Sequence, residues 1–114
     1  MPRLMSFTLT TPQIRNRTKT VTRRNGWWFL KPGTILIAVE KAQGLKRGEK
    51  VKRLVTIRVI STHAEELQEI TAEDVVREGF PGWTPAHFID MFCDTHNCVR
   101  AALVNRIEFE YVEE

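Results

Sequence analysis

The stretch from Lys52 to Thr62 constrains the fold more than any other. It is the longest strand pattern in the chain. Leu54, Thr56, Arg58 and Ile60 fall on one face of an extended backbone, and Val55, Ile57 and Val59 on the other. An arginine inside so apolar a run must reach the rim or meet a carboxylate. A strand needs neighbours, and three further patterns supply them. Met5 to Leu9 alternates large apolar with small polar residues, Thr34 to Glu40 is β-branched and apolar, and Ala101 to Val112 alternates through Leu103, Ile107, Phe109 and Tyr111.

Helix signals lie between these strands. Thr10/Thr11 followed by Pro12 predicts a short helix to about Arg17, with Ile14 as its apolar anchor. A short helical pattern follows His63, from Ala64 to Gln68. Thr71-Ala72-Glu73-Asp74 resembles a capping box and opens a helix that Gly79 ends. Thr84-Pro85 repeats the cap signature and starts a helix to about His96, burying Phe88, Ile89, Met91 and Phe92. The expectation is a single domain over residues 1–114, of α+β class, with a small partly closed β-barrel and flanking helices.

Charge is unevenly spread. Up to Arg58, fourteen Lys/Arg stand against Glu40 and Glu49. Beyond it, Arg77, Arg100 and Arg106 stand against twelve carboxylates. A basic half of this size favours a phosphate-bearing or polyanionic partner. No apolar run approaches the ~20 residues of a membrane span, and no membrane partner is expected. No apolar signal core follows Arg3, and two cysteines do not make a disulfide scaffold, so a reducing cytoplasm is the expected setting.

The densest chemistry is at Thr18-Lys19-Thr20-Val21-Thr22-Arg23-Arg24, with three cations and three hydroxyls around one valine. Cations offer charge-assisted donors to anions, and a threonine hydroxyl can donate, accept or attack. On a regular strand Lys19 and Thr22 face opposite ways, so joint chemistry requires an irregular backbone. Glu78, just before Gly79, is a carboxylate that a cation such as Lys19, Arg23, Arg24 or Arg58 can meet. Trp28, within Gly26-Trp27-Trp28-Phe29-Leu30, and Trp83 can each stack on a base or serve as core. The connection from Lys41 to Lys50 carries no phosphate-loop sequence. Cys93, His96 and Cys98 do not have zinc-site spacing. Neither a cofactor nor a metal is therefore expected.

Three segments together resemble the ASCH domain family of small PUA-like β-barrels. They are Thr18 to Arg24, then Leu30-Lys31-Pro32-Gly33-Thr34 before a strand, then Ile70 to Asp74 leading to Glu78-Gly79-Phe80. In the family fingerprint GxKxxTxR, Lys19, Thr22 and Arg24 match, and Arg17 stands where the family has glycine. The resemblance implies two branches. Small bacterial members are amidohydrolases of N4-acylated cytidines such as N4-acetylcytidine, and their Lys, Thr and Glu look like Lys19, Thr22 and Glu78. Other members bind or cleave RNA. The expectation is thus an amidohydrolase acting on a modified nucleoside, with Arg23, Arg24, Trp28, Arg58 and Trp83 as substrate contacts. Its alternative is a non-catalytic RNA-binding module using the same cleft, with a ribonuclease behind both. Lys19 would serve either as the base or as an oxyanion stabiliser beside a basic Glu78.

Overall fold

The computed structural model describes residues 2–42 and 44–113. Five strands form one curved sheet: β1 (Arg3–Ser6), β2 (Val21–Arg24), β3 (Ile35–Val39), β4 (Arg53–Glu66) and β5 (Leu103–Tyr111). Their spatial order is β1-β3-β4-β5-β2. The β1–β3 pair is parallel and the others antiparallel. The edge strands curl toward one another, and Arg24 Nη2 on β2 donates to the Ser6 carbonyl on β1 at 2.7 Å. A side chain thus bridges the gap that backbone pairing leaves open, giving the expected partly closed barrel.

The long β4 pattern folds as its alternation dictates. Ile57 and Val59 are buried, whereas Arg58 and Ile60 face solvent. The strand also runs farther than its sequence suggests. Ala64 to Gln68 is not a helix: β4 continues to Glu66 by pairing Thr62 with Ile107 and Glu66 with Leu103, and only Leu67–Glu69 makes a 3-10 turn. A ladder to β5 outweighs a weak local helical preference. The register slips between Val59 and Ser61, a bulge that re-aims the strand's far half.

Three helices complete the chain: α1 (Thr11–Arg15), α2 (Ala72–Arg77) and α3 (Pro85–His96). Thr71 and Thr84 are N-caps, their hydroxyls accepting from the Asp74 and His87 amides at 3.1 Å. At α1 the expected cap does not form. A 3-10 turn (Thr8–Thr10) precedes the helix, and the Thr11 hydroxyl instead donates back to the Phe7 carbonyl. That turn also shortens the first strand, which ends at Ser6 rather than Leu9.

Two apolar clusters sit around the sheet. Met5, Phe7, Ile14, Leu36, Ile57, Val59, Ile107 and Phe109 fill the barrel. Leu67, Ile70, Val75, Phe88, Ile89, Phe92 and Val104 fix α2 and α3 beside it. Of the connection from Lys41 to Lys50, all but residue 43 lies within the described part. Among the described residues no helix is long and apolar enough to cross a membrane.

Candidate functional site

The backbone before β2 is irregular, as joint action of Lys19 and Thr22 requires. Arg17 takes a left-handed conformation, φ +62°, and strand geometry starts only at Val21. Strand alternation therefore does not govern Lys19. The segment is pinned from three sides: the Lys19 amide donates to the Gln13 carbonyl, the Thr20 amide to the Arg77 carbonyl at 2.8 Å, and the Tyr111 hydroxyl to the Lys19 carbonyl at 2.5 Å. The position that is glycine in the family fingerprint is thus one where glycine is the residue of least strain. Arg17 occupies it with its guanidinium paired to Glu113 and 5.5 Å from the Tyr111 ring centroid.

Glu78 comes from the other side. It is the C-cap of α2, and the turn beyond it is a Schellman motif: the Gly79 amide donates to the Val76 carbonyl and the Phe80 amide to the Val75 carbonyl. Gly79 has φ +101°, and a Cβ there would lie 2.7 Å from Gln13 Cγ and 3.5 Å from Lys19 Cβ. Only glycine permits both that turn and that approach.

Lys19 and Glu78 meet in the interior, each at most 3 % exposed. Lys19 Nζ donates to Glu78 Oε1 at 2.7 Å and to the Glu78 carbonyl at 2.8 Å, satisfying one of the helix's orphan acceptors. Burial pushes the Lys19 pKa below its ordinary value, and the attraction of Glu78 opposes this without cancelling it. Arg23 takes the other carboxylate oxygen, Nη1 to Glu78 Oε2 at 3.0 Å. Its Nη2 reaches Glu65 at 3.0 Å and Asp74 at 2.5 Å. Burial alone would lower the Arg23 pKa, but Glu78, Asp74 and Glu65 outweigh it and raise it.

Asp74 is a buried hub for Arg23, Arg77 and Arg106. Its Arg106 bonds, with those from Arg23 and Arg77, hold its carboxyl well below the usual range against the opposing effect of burial. The two oppositely charged halves of the sequence are therefore interleaved here.

Thr22 is buried beside them, and its hydroxyl accepts from Arg24 Nε at 3.1 Å. Burial depresses the Arg24 pKa to about 10. Lys19, Thr22, Arg23, Arg24 and Glu78 all line one cavity of about 230 Å³, below the ~300–1,000 Å³ of drug-sized sites. Its remaining wall is Ser6 to Thr10 on one side, and Phe80 with Phe88, Met91, Phe92, Thr95 and His96 on the other. A small planar group with a polar edge suits such a space: apolar walls for its faces, and a cation, a hydroxyl and a carboxylate for its functional groups.

Three expected contacts are placed elsewhere. Arg58 projects from the solvent face of β4 and pairs with Glu110 at 2.7 Å, because the two are cross-strand partners. Trp28 is about half exposed (52 %) and does not line the cavity, since the backbone turns left-handed at Trp27 rather than running extended. Trp83 stacks on His87 at 3.8 Å and packs on the helical cluster. Conversely, the sequence pattern does not mark Glu65, Asp74 and Arg106 as site residues, and it presents His96 only against the spacing of a zinc site. Glu65 was hidden in an apparent helix. The Thr71 and Thr84 caps locate the helices bearing Asp74 and His96, but not what they dock against.

His96 stacks on Phe92 at 4.1 Å, and Cys93 and Cys98 are free thiols. Among the described residues no group of three or more His, Cys, Asp or Glu side chains could hold a metal ion.

The fold is that of an ASCH domain, a small PUA-like barrel carrying helices. An ASCH domain from Lactobacillus crispatus superposes with a TM-score of 0.62 at 15% identity, covering 96% of this chain and 78% of that one. A DUF984-family protein from Enterococcus faecalis superposes with a TM-score of 0.63 at 14% identity, covering 98% and 76%. No protein-family model and no curated protein matches the sequence.

Proposed function

We propose that the domain is an amidohydrolase acting on an N4-acylcytidine-type nucleoside, with Lys19, Thr22 and Glu78 as catalytic residues and Arg23 and Arg24 as their charged neighbours. The observation that carries this reading is the sequestered Lys19–Glu78 pair in the wall of a cavity that also holds the Thr22 hydroxyl. A surface that only holds RNA needs its cations at the rim, where phosphates reach them, and not beneath a small cavity bonded to carboxylates. Trp28, Arg58 and Trp83 have no part in the proposal.

Amide hydrolysis needs a nucleophile, a group that accepts its proton, and a route for that proton to the leaving amine. Arg24 Nε donates to Thr22 Oγ1, so the hydroxyl oxygen is positioned and a developing negative charge on it is stabilised. Burial lowers the proton affinity of Lys19, which favours transfer of a proton through it rather than its retention as a fixed cation. In the proposed sequence Thr22 Oγ1 attacks the acyl carbon and its proton passes to Lys19. Lys19 returns the proton to N4 as the C–N bond breaks, leaving cytidine and an acyl ester on Thr22. Water then hydrolyses the ester to a carboxylic acid and free threonine. Glu78 holds Lys19 in place and balances its charge when protonated, and Arg23 orients the Glu78 carboxylate.

The test is release of cytidine from N4-acetylcytidine by the purified protein. Turnover by the wild type and its loss in Lys19→Ala support the reading. No turnover, or turnover that survives Lys19→Ala, sinks it.

A further inference from the structure

Arg24, half-buried, differs from the two buried cations of the site. Lys19 and Arg23 are each bonded to carboxylate. Arg24 spends Nε on the Thr22 hydroxyl and Nη2 on the Ser6 carbonyl, and its guanidinium lies 4.7 Å from the Phe7 ring centroid. Among the described residues it has no carboxylate partner. Glu78 attracts it from a distance without bonding it, so this half-buried guanidinium lacks a bonded counter-ion, and an anion is the group that supplies one.

There is space for one. A second concavity adjoins the Lys19 cavity, and Arg24 and His96 line both. Its other walls include Arg3, Trp27 and Phe29. Arg3 thus brings a second cation, lying 4.8 Å from the Phe29 ring centroid. Trp27 holds a left-handed backbone, φ +62°, an unusual state for a bulky residue. Two donors fix it there: the buried Asn105 side chain and the Leu30 amide both bond the Trp27 carbonyl, at 3.0 and 3.1 Å. Strain maintained in this way clusters at ligand-contacting segments.

We propose that this second concavity is a phosphate subsite, and that the substrate is a nucleotide: the base enters the Lys19 cavity while a phosphate on its ribose meets Arg24 and Arg3. This rests on the reading of the first cavity as a nucleoside site. A guanidinium recognises phosphate through paired N–H donors, and the two arginines share one concave surface with an aromatic floor. The phosphate is either the terminal group of a mononucleotide or a diester within a strand. In a strand, the exposed Phe29 face is available to the next base.

The experiment is calorimetric titration of the full chain with cytidine, 5′-CMP, 3′-CMP and the dinucleotide CpA, at two salt concentrations. At least one phosphate-bearing ligand is expected to bind about ten-fold or more tighter than cytidine, with the advantage shrinking as salt rises. A gain with either CMP identifies a mononucleotide, and a gain with CpA alone identifies a diester. Arg3→Gln, an exposed change that leaves the fold intact, should cut the ratio of phosphate-ligand to cytidine affinity several-fold, and Arg24→Gln should cut it further. Equal affinities for cytidine and all three phosphate ligands overturn the proposal. So does an advantage that both arginine variants retain. These are binding measurements, so failure to hydrolyse N4-acetylcytidine leaves their outcome readable, and their failure leaves the hydrolysis test standing.

Discussion

Lys19 grips Glu78 twice, through the carboxylate at 2.7 Å and through the main-chain carbonyl at 2.8 Å. The second bond ties the lysine to the end of α2 as well as to a side chain. The position of Lys19 is therefore set by both contacts, while Arg23 shares the charge of the same carboxylate.

Breaking that pair from one side leaves a buried charge unpaired. Glu78→Leu is expected to destabilise by about 3–5 kcal/mol. Lys19→Met/Glu78→Leu should recover part of that loss while remaining inactive, because apolar replacement removes the desolvation penalties of both residues but leaves Arg23 without its Glu78 bond. Urea denaturation of the single and double variants checks this. A double variant no more stable than Glu78→Leu would contradict the account of the pair.

Thr22 separates two chemical roles. Thr22→Ser keeps the hydroxyl and is expected to retain activity within about ten-fold, whereas Thr22→Val should lose at least ~100-fold in kcat. Mass spectrometry of quenched wild-type reactions should show an acyl adduct on the peptide containing Thr22. Activity in Thr22→Val would leave the hydroxyl no essential part.

Lys19 also sets a pH dependence. Its folded pKa is lowered from 10.5, so acceptance of a proton becomes available below that value. kcat/KM should rise with pH through an inflection below 10.5, and Lys19→Arg should abolish the rise along with activity. The same depression means that Lys19's contribution to stability is full above pH 10.5 and is lost as pH falls through its folded pKa. Asp74 has the corresponding dependence in acid. Its carboxyl is held below its ordinary 3.8, so its stabilisation is full above that pH and is lost as pH falls through the depressed folded value. Asp74→Asn should cost about 3–5 kcal/mol near neutrality and progressively less in acid, measured by denaturation from pH 7 to pH 2.

Gly79 and Arg17 test the two positive-φ positions. Gly79→Ala combines strain with a 2.7 Å approach to Gln13 and is expected to cost roughly 1–3 kcal/mol. Activity should fall with it, since the turn carries Glu78. Arg17→Gly should relieve about 1–2 kcal/mol of left-handed strain but lose the Glu113 and Tyr111 contacts. The net change should lie within about 1 kcal/mol of zero. Thermal denaturation ranks the two, and an Arg17→Gly variant less stable than Gly79→Ala would reverse the assignment.

The sequence by itself determined the local elements. The alternation of Lys52 to Thr62, the Thr71 and Thr84 caps and the Gly79 stop each act within a few residues, where backbone sterics and short hydrogen bonds decide the outcome. It also singled out the segment from Thr18 to Arg24, because so many cations and hydroxyls have no ordinary use in a core. Tertiary structure alone decided which carboxylates answer those cations. Glu65 reaches Arg23 only because β4 continues past its bulge along β5, a long-range pairing that overrides the local pattern. Glu78 reaches Lys19 only because Gly79 allows α2 to close against Gln13. Arg58 and Arg24 look alike in sequence, yet one pairs with Glu110 on the solvent face of β4 and the other joins the two edges of the barrel. Charge balance depends on distance through space, and that distance is fixed only when the strands find their register.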